Sequence, residues 1–344
     1  RAAEKLARRI RERRLADGMI TLALPEVEIE LGKDGGVANA GPADTAFSHT
    51  VIEMFMVEAN EAVSRYLKQA GLAHLRRIHP PPETQERNPL RPLAAVFDRR
   101  LPDKIDRATI RQLLDAVRGK PGEHAVNLVL LQTMEQAYYA PDDLGHFALA
   151  SEDYCHFTSP IRRYPDLINH RLLDAAMAHD GKRKSRKGVP GASELAELGR
   201  QNSASERRAQ QAERDAKTLL LLELMESKVG QSLTGVVTGA VSAGVFVQVY
   251  PYLAEGLVHV SDFGPGRWNY DDRASLFVRE LGGVVLGIGV PADVVVASVD
   301  KRRQTLDLVP KNARAFGINR PKLAQTNKDA PRKRAKGRRR GRRG

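Results

Sequence analysis

One cysteine, Cys155, occurs in 344 residues. A single thiol makes no internal disulfide, excludes zinc folds built on paired cysteines, and fits a reducing, cytoplasmic compartment. Histidine does not make up the deficit, since His146 and His156 stand ten apart, outside the usual zinc spacings. No apolar run approaches the ~18 residues of a membrane-spanning helix, and nothing resembles a signal peptide. Methionine is missing from the first position. Arg1 stands there, inside a helical pattern, and the chain is therefore expected to be a fragment of something longer.

Net charge is also missing from most of the chain. From Lys311 to Gly344, fourteen Lys and Arg face one acid, Asp329, which accounts for the entire net charge of +13. The segment "PRKRAKGRRRGRRG" has no apolar periodicity and cannot bury enough surface to offset its ordering entropy, so residues 311–344 are expected to be a disordered basic tail. Such a tail attracts nucleic-acid phosphates through counterion exchange. The plainer alternative is a solubilising tail. With 42% apolar and 28% charged residues, the rest is expected to be globular, with room for two domains.

Periodicity divides the chain. "AAEKLARRIRERRLADG" is helical to Gly18, and "MITLALPEVEIEL" alternates as two strand segments broken at Pro25. Ser48 is expected to cap a helix whose stripe is Ile52, Met56, Ala59, Val63 and Leu67. Short helical patterns follow over 94–99 and "DRATIRQLLDAVRG", then an apolar helix over "EHAVNLVLLQTMEQAYYA". A helix is expected from about Pro165 to His179. The "DGKRKSRKGVPGAS" loop then leads to a long charged helix ending near Ser227. From Val229 the period becomes strand-like, and five short strands within about eighty residues predict a small closed β-barrel.

The densest cluster of reactive groups is "YCHFTSPIRRYPDLINHRLL", Tyr154 to Leu173. Pro160 keeps Ser159 extended, and Pro165 suits the first turn of the next helix, so Arg162 and Arg163 fall just before a helix N-terminus. Free N–H groups there favour an anion, and the arginine fork suits phosphate oxygens. The alternative pairs these arginines with Asp166 or Asp153. Cys155 beside His156 suggests a nucleophile and base, but neighbours on an extended segment point apart, and a buried, inert thiol is the competing reading.

These segments resemble a known family. "MEQAYYAPDDLGHFALASEDYCHFTSPIRRYPDLINHRLL" is similar to the signature of the RNB exoribonucleases, the family of ribonucleases II and R. "SHTVIEMFMVEANEAV" and the "AERDA" helix are similar to their other marked segments. "GVVTGAVSAGVFVQV", "EGLVHVSDF" and "DKRRQTLDLV" resemble the S1 RNA-binding domain that follows. The resemblance implies an α+β fold: residues 1–227 as the mostly helical C-terminal portion of an RNB catalytic domain, then residues 228–310 as a five-stranded OB-fold barrel.

By resemblance the activity is 3′-to-5′ exoribonuclease, processive, hydrolytic and Mg²⁺-dependent, releasing nucleoside 5′-monophosphates. It acts on the 3′ ends of single-stranded RNA. The expected setting is a cytoplasmic monomer whose basic tail meets the ribosome or structured RNA. Arg162 is implied as the catalytic arginine beside the scissile phosphate. Tyr154, His156, Thr158, Ser159, Arg163, Tyr164 and Arg171 are implied along the RNA channel. His170 either joins them or packs in the core. Glu213 either lines the channel or makes a surface ion pair. In the barrel, Phe246, His259 and Arg303 are implied RNA contacts, with a core phenylalanine as the alternative for Phe246. Ala243 stands where relatives carry an aromatic, and Trp268 and Tyr270 are candidates to compensate. The family's aspartate cluster, roughly D-x-x-D-x-D-D, does not occur here, so no metal ligand is assigned and the chain alone is expected to be inactive. The alternative function is an RNA-binding module without catalysis of its own.

Overall fold

Helix α1 (Ala2–Ala16) stops where Gly18 takes a φ of +102°. It buries Arg14 against helix α2 (Phe47–Gln69), where the guanidinium lies 2.6 Å from Glu58 and 2.7 Å from Glu61. The computed structural model describes residues 1–82, 90, 101–102, 105–119, 123–178, 190–272, 275–280 and 282–319. The expected helical pattern over 94–99, most of the 180–193 loop and residues 320–344 lie outside them.

The buried stripe of α2 is Met54, Val57, Asn60, Ser64 and Leu67, rotated from the apolar stripe expected from the sequence. Asn60 and Ser64 turn inward because loop groups there need hydrogen-bond partners, and Ile52 is left 61% exposed. Ser48 is not the cap. Ala46 holds that position without a side-chain bond, and its own N–H donates to Asp44 Oδ1.

Residues 19–26 form no strand. Ile20 N–H donates to the Ala148 carbonyl and Ala23 N–H to Asn127 Oδ1, so these donors are satisfied without a β-ladder. Ile20 and Leu22 pack instead on the cluster made by α3 (Arg107–Val117) and α4 (Glu123–Thr133). Asp106 caps α3 by accepting from Thr109 N–H at 2.8 Å. Helix α4 is shorter than expected, because Tyr138–Ala140 becomes strand β4, antiparallel to β3 (Arg76–Ile78). (The β1–β2 hairpin, Val27–Leu31 and Val37–Pro42, precedes them.)

Helix α5 (Tyr164–Ala178) carries the buried Asp166, Ile168, Asn169 and Leu172. Helix α6 (Ala192–Glu226) crosses β4 so closely that a Cβ on Gly199 would collide with the Tyr139 carbonyl. Beyond it, strands β5 (Ser232–Val241), β6 (Gly244–Val249) and β7 (Ala254–His259) run in sequence. Next come β8 (Trp268–Asp271), β9 (Leu276–Arg279) and β10 (Val284–Gly287), then β11 (Pro291–Asp300) and β12 (Thr305–Pro310). Five of them close into a barrel in the order β11-β12-β7-β6-β5, with β12 parallel to β7. The other three form a second sheet with β13 (Ile318–Asn319).

Inward valines such as Val237, Val247, Val258 and Val294 fill the barrel. Leu221, Leu222, Leu224 and Met225 from α6 complete this core, and Val27, Ile29 and Val37 of the hairpin pack against it. Order continues past Lys311, where a disordered tail was expected to begin. Residues Ala313–Ala315 form a 3₁₀ turn, Phe316 is buried, and β13 pairs with β10, because an aromatic residue and two paired backbone groups supply what the charged segment lacks.

Candidate functional site

Residues 154–163 form no helix and no ladder beyond a single bridge from Cys155 to Arg76, where Arg77 N–H also bonds the Tyr154 carbonyl, so side chains fix much of the remaining backbone. Asn60 of α2 accepts from Phe157 N–H at 2.9 Å through Oδ1 and donates to Tyr154 Oη at 3.1 Å through Nδ2. From α5, Asn169 donates to the His156 carbonyl and to the Leu75 carbonyl, both at 2.9 Å, and accepts from Leu75 N–H. His170 stacks on Phe157 with ring centroids 3.9 Å apart and bonds the Phe157 carbonyl, a packing role rather than an open contact. Sequence reasoning missed Asn60 and Asn169; Asn60 lies off the apolar stripe expected for α2, so periodicity carried no signal for it.

The two arginines differ. Arg163 Nη2 donates to Asp166 Oδ1 at 2.7 Å, and that carboxylate is fully buried. Arg162 is exposed, with no side-chain hydrogen bond or ion pair to the described residues. The Asp166 alternative is therefore observed for Arg163 and not for Arg162. Ile161 beside them is 98% exposed, Tyr164 begins α5 exposed, and Arg171 is exposed about two turns into the helix.

Behind this turn lies a row of rings. His79 and His146 stand 5.0 Å apart, His146 meets Tyr154 at 5.2 Å, and Tyr154 meets His156 at 5.8 Å. Tyr139 Oη bonds His156 Nδ1 at 2.8 Å. Burial, reinforced by the Arg163 charge, pushes the His156 pKa down to about 2. This imidazole stays neutral and is unsuited to phosphate binding as a cation. Cys155 is fully buried, and burial pushes its thiol up to about 12, so it is inert as a nucleophile. The Thr158 hydroxyl oxygen is buried without a hydrogen-bond partner among the described residues, while the Ser159 amide donates to Asp166.

An open cleft of about 570 Å³ runs between α2 and this loop. Ile52, Met56 and Leu149 make its apolar wall, with Glu53, Asn60, Tyr154 and Arg163 as polar groups. The displaced α2 stripe thus leaves Ile52 and Met56 on a cleft instead of in the core.

On the barrel, Phe246 is half-buried on the outer face over Gly239 and outside the core, so the core alternative does not hold. Its neighbour across β7 is Leu257, and His259 pairs with Gly244 on the same face, exposed. Arg303 is exposed in the β11–β12 turn. Trp268 and Tyr270 do not compensate for Ala243. Trp268 packs edge-on against Phe263 at 5.3 Å, and Tyr270 donates to the Ala240 carbonyl, so both serve the core. Glu213 is exposed and forms an ion pair with Lys217 at 2.7 Å, the alternative weighed for it.

A family model described as the RNB domain matches residues 1–179. Ribonuclease R of Aquifex aeolicus is 33% identical over 309 residues, 89% of this chain and 43% of that protein. Ribonuclease R of Escherichia coli is 33% identical over 267 residues, 76% of this chain and 33% of that protein. The chain thus spans less than half the length of these curated relatives. A Mycoplasma genitalium RNase R solved with ribose-methylated single-stranded RNA matches with a TM-score of 0.82 at 24% identity, over 90% of this chain and 49% of that one. Yeast Ssd1, described as a pseudonuclease, matches at 0.60 and 19% identity, over 87% and 36%. With the RNB model covering more than half of its residues, the chain belongs to the RNB-domain family.

Proposed function

We propose that this chain is the RNA-gripping part of a cytoplasmic 3′-to-5′ exoribonuclease that degrades RNA processively to nucleoside 5′-monophosphates. The observation that carries the reading is Arg162, an exposed guanidinium with no partner among the described residues, immediately before the N-terminus of α5, on a turn locked from behind. A cation there is electrostatically unfavourable until an anion arrives, and a phosphodiester fits both the fork and the free N–H groups. Residues 1–227 then act as the C-terminal portion of the catalytic domain and residues 228–310 as an S1 domain of OB type. The barrel order β5-β6-β7-β12-β11, closed on itself, supports the OB assignment. Its outer face, Phe246 with His259, suits base stacking. The basic residues beyond it extend the contact to RNA backbone or ribosome, and the chain works as a monomer.

The resemblance implies Mg²⁺. Among the described residues no group of three or more His, Cys, Asp or Glu could hold a metal ion, so the donors present do not fit that cofactor. That observation favours a second reading, an RNA-binding module without catalysis of its own. Incubating the chain with Mg²⁺ and 3′-labelled single-stranded RNA separates the two. The expected result is binding without mononucleotide release. Release of mononucleotides would show that this chain cuts by itself, and absence of binding would remove both readings.

A further inference from the structure

The turn from Ser159 to Arg163 is closed at both ends by one side chain. Asp166 Oδ1 accepts from Ser159 N–H at 2.8 Å and from Arg163 Nη2 at 2.7 Å, and the carboxylate has no solvent exposure. Within the turn, the Ser159 carbonyl accepts from Arg162 N–H at 3.3 Å and Arg163 N–H at 3.1 Å. Asp166 lies in the first turn of α5, where the helix dipole favours a negative charge. Its neighbours therefore receive opposite treatment: Arg163 is tied through Nη2 to a buried carboxylate, and Arg162 is left outside the pair.

We propose that Asp166 is the positioning residue of this site: through the Ser159 amide and Arg163 it sets the turn that presents Arg162 to phosphate. Arg163 is then part of the brace and not a phosphate ligand. This rests on the RNA-gripping reading above and divides labour between two adjacent, chemically identical side chains. Asp166 is fully buried and Arg163 is four-fifths buried, so removing the charge at Asp166 weakens both ends of the turn together.

The test is a fluorescence titration of the intact chain with a short single-stranded RNA carrying 2-aminopurine as its 3′-terminal base, repeated across salt concentrations. Arg162→Ala is expected to lose about tenfold in affinity. Its slope of log affinity against log salt should fall by about 0.7, the value for one phosphate contact on a single strand. Asp166→Asn should show the same two losses, and the double variant no further loss, because both act through one guanidinium. Arg163→Lys, which keeps a cation for Asp166, should retain more affinity than Arg163→Gln; this comparison stands even where Asp166→Asn fails to fold. A general structural defect would instead add to the Arg162→Ala loss and leave the slope alone, which overturns the proposal. So does an unchanged or steeper slope in Asp166→Asn, which would make Arg163 a phosphate ligand held in reserve. If Arg162→Ala titrates like the wild type, the RNA-gripping reading itself falls; if only the Asp166 and Arg163 variants do, that reading stands and the positioning role falls.

Discussion

Lowering the pH from about 7.5 to about 5.5 should unfold this protein far more easily, and the reason is imidazole. His74 has no solvent exposure, and burial takes its pKa down to about 4. Burial likewise takes His146 to about 3 and His156 to about 2. In the unfolded chain each titrates near 6.5. These folded values are depressed, so the stability they allow is complete above about pH 6.5 and is lost as the pH falls toward the folded values. Each histidine contributes a slope of ~1.4 kcal/mol per pH unit once the unfolded form is protonated. Over the two-unit interval this amounts to ~1.4 kcal/mol each and ~4 kcal/mol for the three. Against typical stabilities of about 5–15 kcal/mol, that loss is large. His79 and His124, also lowered by burial, act in the same direction. Glu58 and Asp153, whose pKa values are lowered on balance by arginine and lysine partners against burial, lose their contribution only below their unfolded values near pH 4, outside the window. Urea denaturation at a series of pH values measures the effect, and His74→Gln should remove about a third of it. Stability that stays flat or rises as the pH falls through this interval would refute the reasoning.

Arg14→Ala should destabilise the fold by about 3 kcal/mol, because it empties a site that buries 95% of the arginine side chain and leaves Glu58 to Arg13 and the largely buried Glu61 to the more distant Arg65. Urea midpoints check this, and a loss below about 1 kcal/mol would mean the carboxylates find water. Phe246→Ala should weaken single-stranded RNA binding by about 1–3 kcal/mol while keeping the unfolding midpoint. A lowered midpoint with unchanged affinity would make Phe246 a packing residue.

Much of the helical architecture is legible in the sequence, since α1, α3, α5 and α6 follow its period and its punctuation at Gly18, Asp106 and Pro165. Less legible is what depends on partners distant in sequence. The alternation over 20–24 reads as a strand, yet a strand requires a ladder, and those N–H groups are taken by Ala148 and Asn127. The inner face of α2 is set by the hydrogen-bonding demand of residues 154–157, about a hundred positions away, which apolar periodicity cannot reveal. The same limit applies at the site. The reactive segment stands out in sequence, but the fates of Arg162 and Arg163 diverge only because α5 folds Asp166 back onto one of them.

The apolar end of α6 has a consequence for cooperativity. The change of period at Val229 marks a boundary in the sequence, but Leu221, Leu222, Leu224 and Met225 belong to the barrel core, and the Val27–Pro42 hairpin packs there too. A barrel cut out at residue 228 would lose Leu221, Leu222, Leu224 and Met225 from its core, and each fully buried side chain of that kind is worth about 1.5–3 kcal/mol. The barrel therefore melts together with the last turns of the helix and with a hairpin from the other end of the chain, so the unit that unfolds is discontinuous in sequence.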